Sequence, residues 1–124
     1  MHRILVIEDD LSSAKALAKL LLTYGFEVIT AIDGYQGLSL MFEKKPDLVI
    51  LDLMLPGGGG LSVLRNIRSS LQIKNMPVVV ISGMSDEVYK ENISREGVAA
   101  YLIKPYDFQE LYTIIQNILN NKKS

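Results

Sequence analysis

The chain has 124 residues, 48% of them hydrophobic and 22% charged, and a net charge of −1, a profile of one compact domain that buries roughly two-thirds of its unfolded surface. It has no cysteine, which excludes disulfide frameworks, thiol catalysis and zinc–thiolate sites and fits a reducing compartment. With no clustered Lys/Arg stripe, no apolar stretch near the ~18 residues of a membrane span and no signal peptide at Met1-His2-Arg3, a soluble, cytoplasmic protein without membrane insertion or direct nucleic-acid binding is expected.

The first element is the apolar run Ile4-Leu5-Val6-Ile7, a buried-type strand that ends in acid at Glu8-Asp9-Asp10. Leu11 to Tyr24 carries Ala14, Leu17 and Leu21 at helical spacing, and Gly25 follows where a left-handed C-terminal cap falls. Glu27 to Ala31 reads as a short strand. After the turn pair Asp33-Gly34, the segment Tyr35 to Lys44 makes a second amphipathic helix with Leu38, Met41 and Phe42.

Pro46 breaks the chain before the third strand, Asp47 to Asp52, whose run Leu48-Val49-Ile50-Leu51 again ends in a carboxylate. Pro56-Gly57-Gly58-Gly59-Gly60 is expected to be a loop, with one glycine needed for a positive φ and three tolerated. A third helix is expected over Leu61 to Ser69, with Leu61, Leu64, Ile67 and Arg68 in register. Pro77 introduces a fourth strand, Val78 to Ser82. Asp86 to Glu96 is polar apart from Val88, Tyr89 and Ile93, a helix held by few core side chains and so a candidate for movement. Ala99 to Ile103 is the fifth strand, ending at Lys104-Pro105. Asp107 and Glu110 form a capping box before Leu111, Ile114, Ile115, Ile118 and Leu119.

Five strand–helix repeats imply a doubly wound parallel sheet of α/β class with right-handed crossovers. The flavodoxin-like (βα)5 order 2-1-3-4-5, adopted from that class, makes strands one and three neighbours at the switch point, where ligand crevices form. Asp9 and Asp52 then meet. Two carboxylates ~5 Å apart repel by ~3 kcal/mol at an effective dielectric near 20, and Glu8 adds to this, so the cluster calls for a cation. Magnesium, commonly held by one or two carboxylates plus waters and a phosphate, suits it. Taken singly, Asp9 or Asp10 reads as a helix cap and Asp52 as a strand end. The conjunction with Ser82 and Lys104 at the ends of strands four and five instead assembles a carboxylate nucleophile, a divalent cation, a hydroxyl and an ammonium around a phosphoryl group.

The runs I-L-V-I-E-D-D at 4–10, D-L-V-I-L-D-L-M-L-P at 47–56, V-V-I-S-G at 79–83 and Y-L-I-K-P at 101–105, in this order and spacing, make the chain resemble a response-regulator receiver domain over essentially its whole length. The resemblance implies a phosphoacceptor switch of two-component or phosphorelay signalling. Asp52 takes a phosphoryl group from the histidine phosphate of a sensor histidine kinase or histidine phosphotransfer protein. Mg2+ is ligated by Asp9, Asp52 and the backbone carbonyl of Met54, and by Glu8 chiefly through water. Ser82 hydrogen-bonds the phosphoryl oxygen, Lys104 pairs with it, and Tyr101 is the aromatic that swings inward as the hydroxyl moves, altering a protein-binding surface on the last helices. A cis bond at Lys104-Pro105 is also implied. Met54 and Met84 stand where relatives carry polar residues that orient the attacking water, which implies slow hydrolysis of the phosphate.

The domain is thus expected to be a signalling module that catalyses its own phosphorylation and dephosphorylation, spanning residues 1–124 with no output domain and passing its state to an unknown protein target. Tyr89, Tyr101, Tyr106 and Tyr112 are expected either to pack or to furnish a partner face across the last two helices. His2 is expected to be solvated. Three other readings weigh less. A degenerate receiver could act as a constitutive adaptor. A haloacid-dehalogenase-like phosphatase needs D-x-D-x-T, but Leu53-Met54-Leu55 follow Asp52. A flavodoxin-type cofactor module needs a phosphate loop where this chain has Glu8-Asp9-Asp10.

Overall fold

The computed structural model describes residues 1–53, 59–83 and 87–121. Strands β1 (Arg3–Ile7), β2 (Glu27–Ala31), β3 (Leu48–Asp52), β4 (Val78–Ser82) and β5 (Ala100–Ile103) alternate with helices α1 (Leu11–Thr23), α2 (Gly34–Lys44), α3 (Gly59–Ser69), α4 (Glu87–Ser94) and α5 (Phe108–Asn121). The sheet is parallel throughout, as expected from the strand–helix alternation, and its order β2-β1-β3-β4-β5 is the one adopted from the flavodoxin-like class.

Strand parity divides the core. Leu5, Ile7, Val49, Leu51, Val78 and Val80 face α2, α3 and α4, packing with Met41, Leu64, Ile67 and Ile93. Ile4, Val6, Leu48, Ile50, Val79 and Ile81 face α1 and α5, packing with Leu17, Leu21, Leu111, Ile115 and Leu119. The three inner strands are apolar on both sides because both sides are covered. Among the described residues, no helix is long and apolar enough to cross a membrane.

Capping follows local chemistry. Gly25 takes φ +94° just beyond α1, and Asp33 Oδ1 accepts the Gln36 N–H at 2.8 Å to start α2. Asp10 occupies the N-cap of α1, where its Oδ2 accepts the Ser13 hydroxyl at 2.5 Å. At α5, Asp107 Oδ1 accepts from the Gln109 N–H at 3.0 Å, one residue before the partner expected of a capping box.

The expectation for the glycine run is corrected. The third helix begins at Gly59 rather than after the glycine run. Gly59 has φ +72°, and a Cβ on Gly60 would stand 2.7 Å from Leu53 Cα and 3.2 Å from the Asp52 carbonyl oxygen. Two glycines of the run are therefore required for different reasons, one by backbone conformation and one by close approach; Pro56, Gly57 and Gly58 lie outside the described residues.

Of the two readings of the tyrosines, packing is the one seen for those described. Tyr112 packs with Tyr24 (ring centroids 4.7 Å apart) and Phe26 (6.1 Å), tying α5 to the end of α1. Tyr106 joins that same side of the core, whereas Tyr101 packs on the α2–α4 side. The Tyr89 side chain lies outside the described residues.

Candidate functional site

The site forms at the carboxyl ends of β1, β3, β4 and β5. Register pairs Ile7 with Leu51 on the neighbouring strands β1 and β3, so the chain leaves the sheet there with Glu8 beside Asp52. Both continue the parity of Val6 and Ile50 and open toward α1 and α5. Carboxylate oxygens of Glu8, Asp9 and Asp52 lie within 4.8 Å of one another. Glu8 and Asp52 are buried, while Asp9 is exposed.

Lys104 arrives from the end of β5. Its Nζ lies 3.0 Å from Asp52 Oδ2 and 3.6 Å from Glu8 Oε1, and its backbone N–H donates to the Ser82 carbonyl at 2.8 Å. The Lys104-Pro105 bond that follows is cis, as the resemblance implied. Burial pushes the Glu8 carboxyl up to about 7, aided by its hydrogen bond to Asp52 and by that residue's charge. Burial opposes the charge on Lys104, but Asp52 and Glu8 outweigh it and hold its pKa above the ordinary lysine value. One ammonium thus faces an excess of carboxylate.

Ser82 ends β4 fully buried. It continues the parity of Val80, which lies opposite Tyr101 in the β4–β5 register, while Ser82 itself lies opposite Ile103. Ser82 and Tyr101 therefore share the α4 side of the sheet as diagonal neighbours, and Lys90 Nζ of α4 stands 5.7 Å from the Tyr101 ring centroid. The carbonyl of Met54 and the side chain of Met84 lie outside the described residues.

A cleft of about 560 Å³ opens over the acids. It is lined by Glu8, Asp52 and Lys104 and, on its apolar wall, by Leu17, Leu20 and Phe108. Tyr106 also lines it, and burial raises the pKa of its phenol. Its place in this cleft was not foreseen; its position directly after Lys104-Pro105 was the available signal.

An all-oxygen donor set crowded within 4.8 Å fits a small hard cation such as magnesium. The surrounding arrangement, a buried carboxylate bonded to an ammonium at the mouth of a cleft, suits charge-neutralised attack on a phosphoryl group.

Comparisons with known proteins agree with this geometry. The chain is similar to Protein PilH of Pseudomonas aeruginosa, 30% identical over 119 residues covering 96% of this chain and 98% of that protein. It is 36% identical over 122 residues to the response regulator ArlR of Staphylococcus aureus, spanning 98% of this chain but 54% of ArlR. It also matches the hybrid signal transduction histidine kinase D of Dictyostelium discoideum at 32% identity, spanning 98% of this chain and 8% of that kinase. Among solved structures, a response regulator receiver domain protein from Clostridium thermocellum has a TM-score of 0.90 at 33% identity, covering 99% of this chain and 98% of that one. A response regulator from Chloroflexus aurantiacus has 0.89 at 31%, covering 96% and 98%. The family model described as the response regulator receiver domain matches residues 4–116, and the chain belongs to that family.

Proposed function

We propose that this chain is a phosphoacceptor switch of a two-component or phosphorelay system, acting in the cytoplasm, with residues 1–124 working as one receiver unit. Receiver domains are signalling domains whose partners are histidine kinases or phosphotransfer proteins, and this chain takes its phosphoryl group from the histidine phosphate of such a partner. An Asp52 carboxylate oxygen attacks phosphorus, the P–N bond to the donor imidazole breaks, and an acyl phosphate forms. Lys104, already paired with Asp52, offsets the growing charge on the phosphoryl oxygens. Positioning accounts for most of the rate, since the protein supplies little covalent chemistry of its own.

Glu8, Asp9 and Asp52 would hold magnesium, Glu8 chiefly through water, with the Met54 carbonyl as a further ligand by resemblance to the family. When bound, that ion neutralises carboxylate and phosphate charge together. Ser82 moves to hydrogen-bond the new phosphoryl group, and Tyr101, on the same side of the sheet, follows it inward and alters a surface read by a downstream protein.

The observation that carries this reading is the Lys104–Asp52 contact inside a three-carboxylate cluster. Incubation with acetyl phosphate and magnesium chloride, followed by intact mass measurement, tests it: the parent gains one phosphate and Asp52→Asn gains none. A parent that gains no mass and binds no magnesium refutes the switch and leaves a constitutive binding surface.

A further inference from the structure

A second groove, of about 770 Å³, runs between α2 and α3. Tyr35, Leu38 and Phe42 line it from α2, and Ser62, Val63 and Asn66 from α3. The two helices meet at Gly34, where any Cβ would collide with the Val63 side chain, so the groove is held in shape by packing beneath it. Among the described residues, neither Asp52 nor Lys104 lines it. Large apolar groups nevertheless stand open here: Tyr35 is 90% exposed and Phe42 43%. Aromatic side chains left in water along a preformed groove mark a docking face.

The face is self-complementary along the helix. Tyr35, Leu38, Ser39 and Phe42 stand at i, i+3, i+4 and i+7, one stripe of α2, and their spacing of three, one and three residues is the same read from either end. Two copies of α2 laid antiparallel about a twofold axis between Leu38 and Ser39 set Tyr35 of each against Phe42 of the other. The short Ser39 side chain falls near the axis, where the helices approach most closely. An isologous interface needs this property of a patch, and aromatic pairs contribute beyond the area they bury. Charge selects the same direction. Asp33 lines the groove at the amino end of α2, while Glu43, Lys44 and Lys45 are exposed at the carboxyl end and leave it net positive. Antiparallel pairing brings each acid to the other copy's basic end, and parallel pairing brings like to like.

We propose that the α2–α3 groove is a self-association surface, on which a second copy of this chain docks antiparallel through α2. With 11 residues, α2 is about 16 Å long at 1.5 Å per residue. That is too short to bury the ~800 Å² per partner of a standard stable interface, so the dimer is weak and forms where the protein is concentrated. The surface uses no residue of the phosphoacceptor site, and the proposal stands apart from the switch.

Sedimentation velocity of the full chain from about 10 μM to about 1 mM, the range of weak interfaces, tests it together with cysteine cross-linking. The protein has no cysteine, so Ser39→Cys supplies a single thiol near the axis. Leu22→Cys, on α1 across the sheet and 58% exposed, is the control. The parent's average mass rises with concentration from that of one chain toward that of two. Tyr35→Glu raises the midpoint concentration about tenfold or more, the loss of both aromatic pairs. Under mild oxidation Ser39→Cys forms linked dimer about fivefold faster than Leu22→Cys, since docking raises the effective thiol concentration. A parent that stays monomeric to about 1 mM overturns the proposal and leaves the groove to a different partner. A dimer that links no faster at residue 39 than at residue 22, or that a folded Tyr35→Glu leaves intact, overturns it as well, because the contact then lies on another face. The parent's mass and the cross-linking comparison decide the matter even if Tyr35→Glu does not fold.

Discussion

Lys104 Nζ lies 3.0 Å from Asp52 Oδ2, a contact that closes 52 positions of sequence and sets one ammonium against a cluster of carboxylates. Removing the amine by Lys104→Ala leaves the acids without their cation. Because the Lys104 side chain is 38% exposed, solvent screens part of the loss, and the expected destabilisation is about 1–2 kcal/mol at pH 8 without metal. At pH 6 the loss is smaller, since Glu8 takes up a proton in place of the missing partner. Urea melts at the two pH values check this, and an equal loss at both counts against it.

Glu8, pushed up to about 7 from an ordinary 4.5, makes metal binding depend on pH. A cation must displace its proton below that value, so apparent magnesium affinity rises from pH 5.5 to 7, at most about tenfold per unit, and flattens above. The stability of the metal-free protein runs the other way. A carboxyl that binds its proton more tightly when folded favours the folded state at low pH, and that contribution declines as pH rises from about 4.5 through about 7. Calorimetric titration with magnesium in two buffers of different ionisation enthalpy should show proton release near pH 6. Glu8→Gln should bind more weakly and lose most of that pH dependence.

Gly60 packs against the backbone of β3, and a methyl group there must push Leu53 and the Asp52 carbonyl away. Gly60→Ala is expected to cost about 2–3 kcal/mol and to slow phosphorylation by acetyl phosphate, because Asp52 is displaced with its strand. Gly83→Ala, in open space, is the control and should melt within about 0.5 kcal/mol of the parent. Thermal melts of the two variants decide the matter; equal midpoints would show that the β3–α3 approach relaxes freely.

Resemblance to the family implies that Met54 and Met84 stand where relatives carry polar residues that orient the attacking water, and a thioether is a poor partner for it, so the phosphoprotein should be long-lived. Introducing Met54→Asn and Met84→Glu together should shorten its half-life several-fold, as followed by loss of label after removal of the donor. Unchanged or slower decay would mean that these positions do not limit hydrolysis.

Periodicity alone carried the sequence to the strand–helix alternation, to the parallel two-sided sheet and to the acids at the ends of β1 and β3, because those features depend on residues a few positions apart. Ser82 and Lys104 were legible for the same reason: each directly ends or follows an apolar run. The start of α3 was not, since glycines are poor helix formers and the need for Gly60 arises from a distance to Leu53 that no local pattern encodes. Nor was the division of the tyrosines between the two sides of the sheet, which follows from strand parity once the register is set.

Tertiary structure alone also decided the charge balance of the pocket. Glu8 owes its high pKa to burial and to Asp52, neither of which composition reveals, and Arg68 looked like one more residue on an apolar helix face until four carbonyls from distant turns converged on it. Local preferences select the elements; electrostatics and close packing act through space, so they come into being only when the chain has folded.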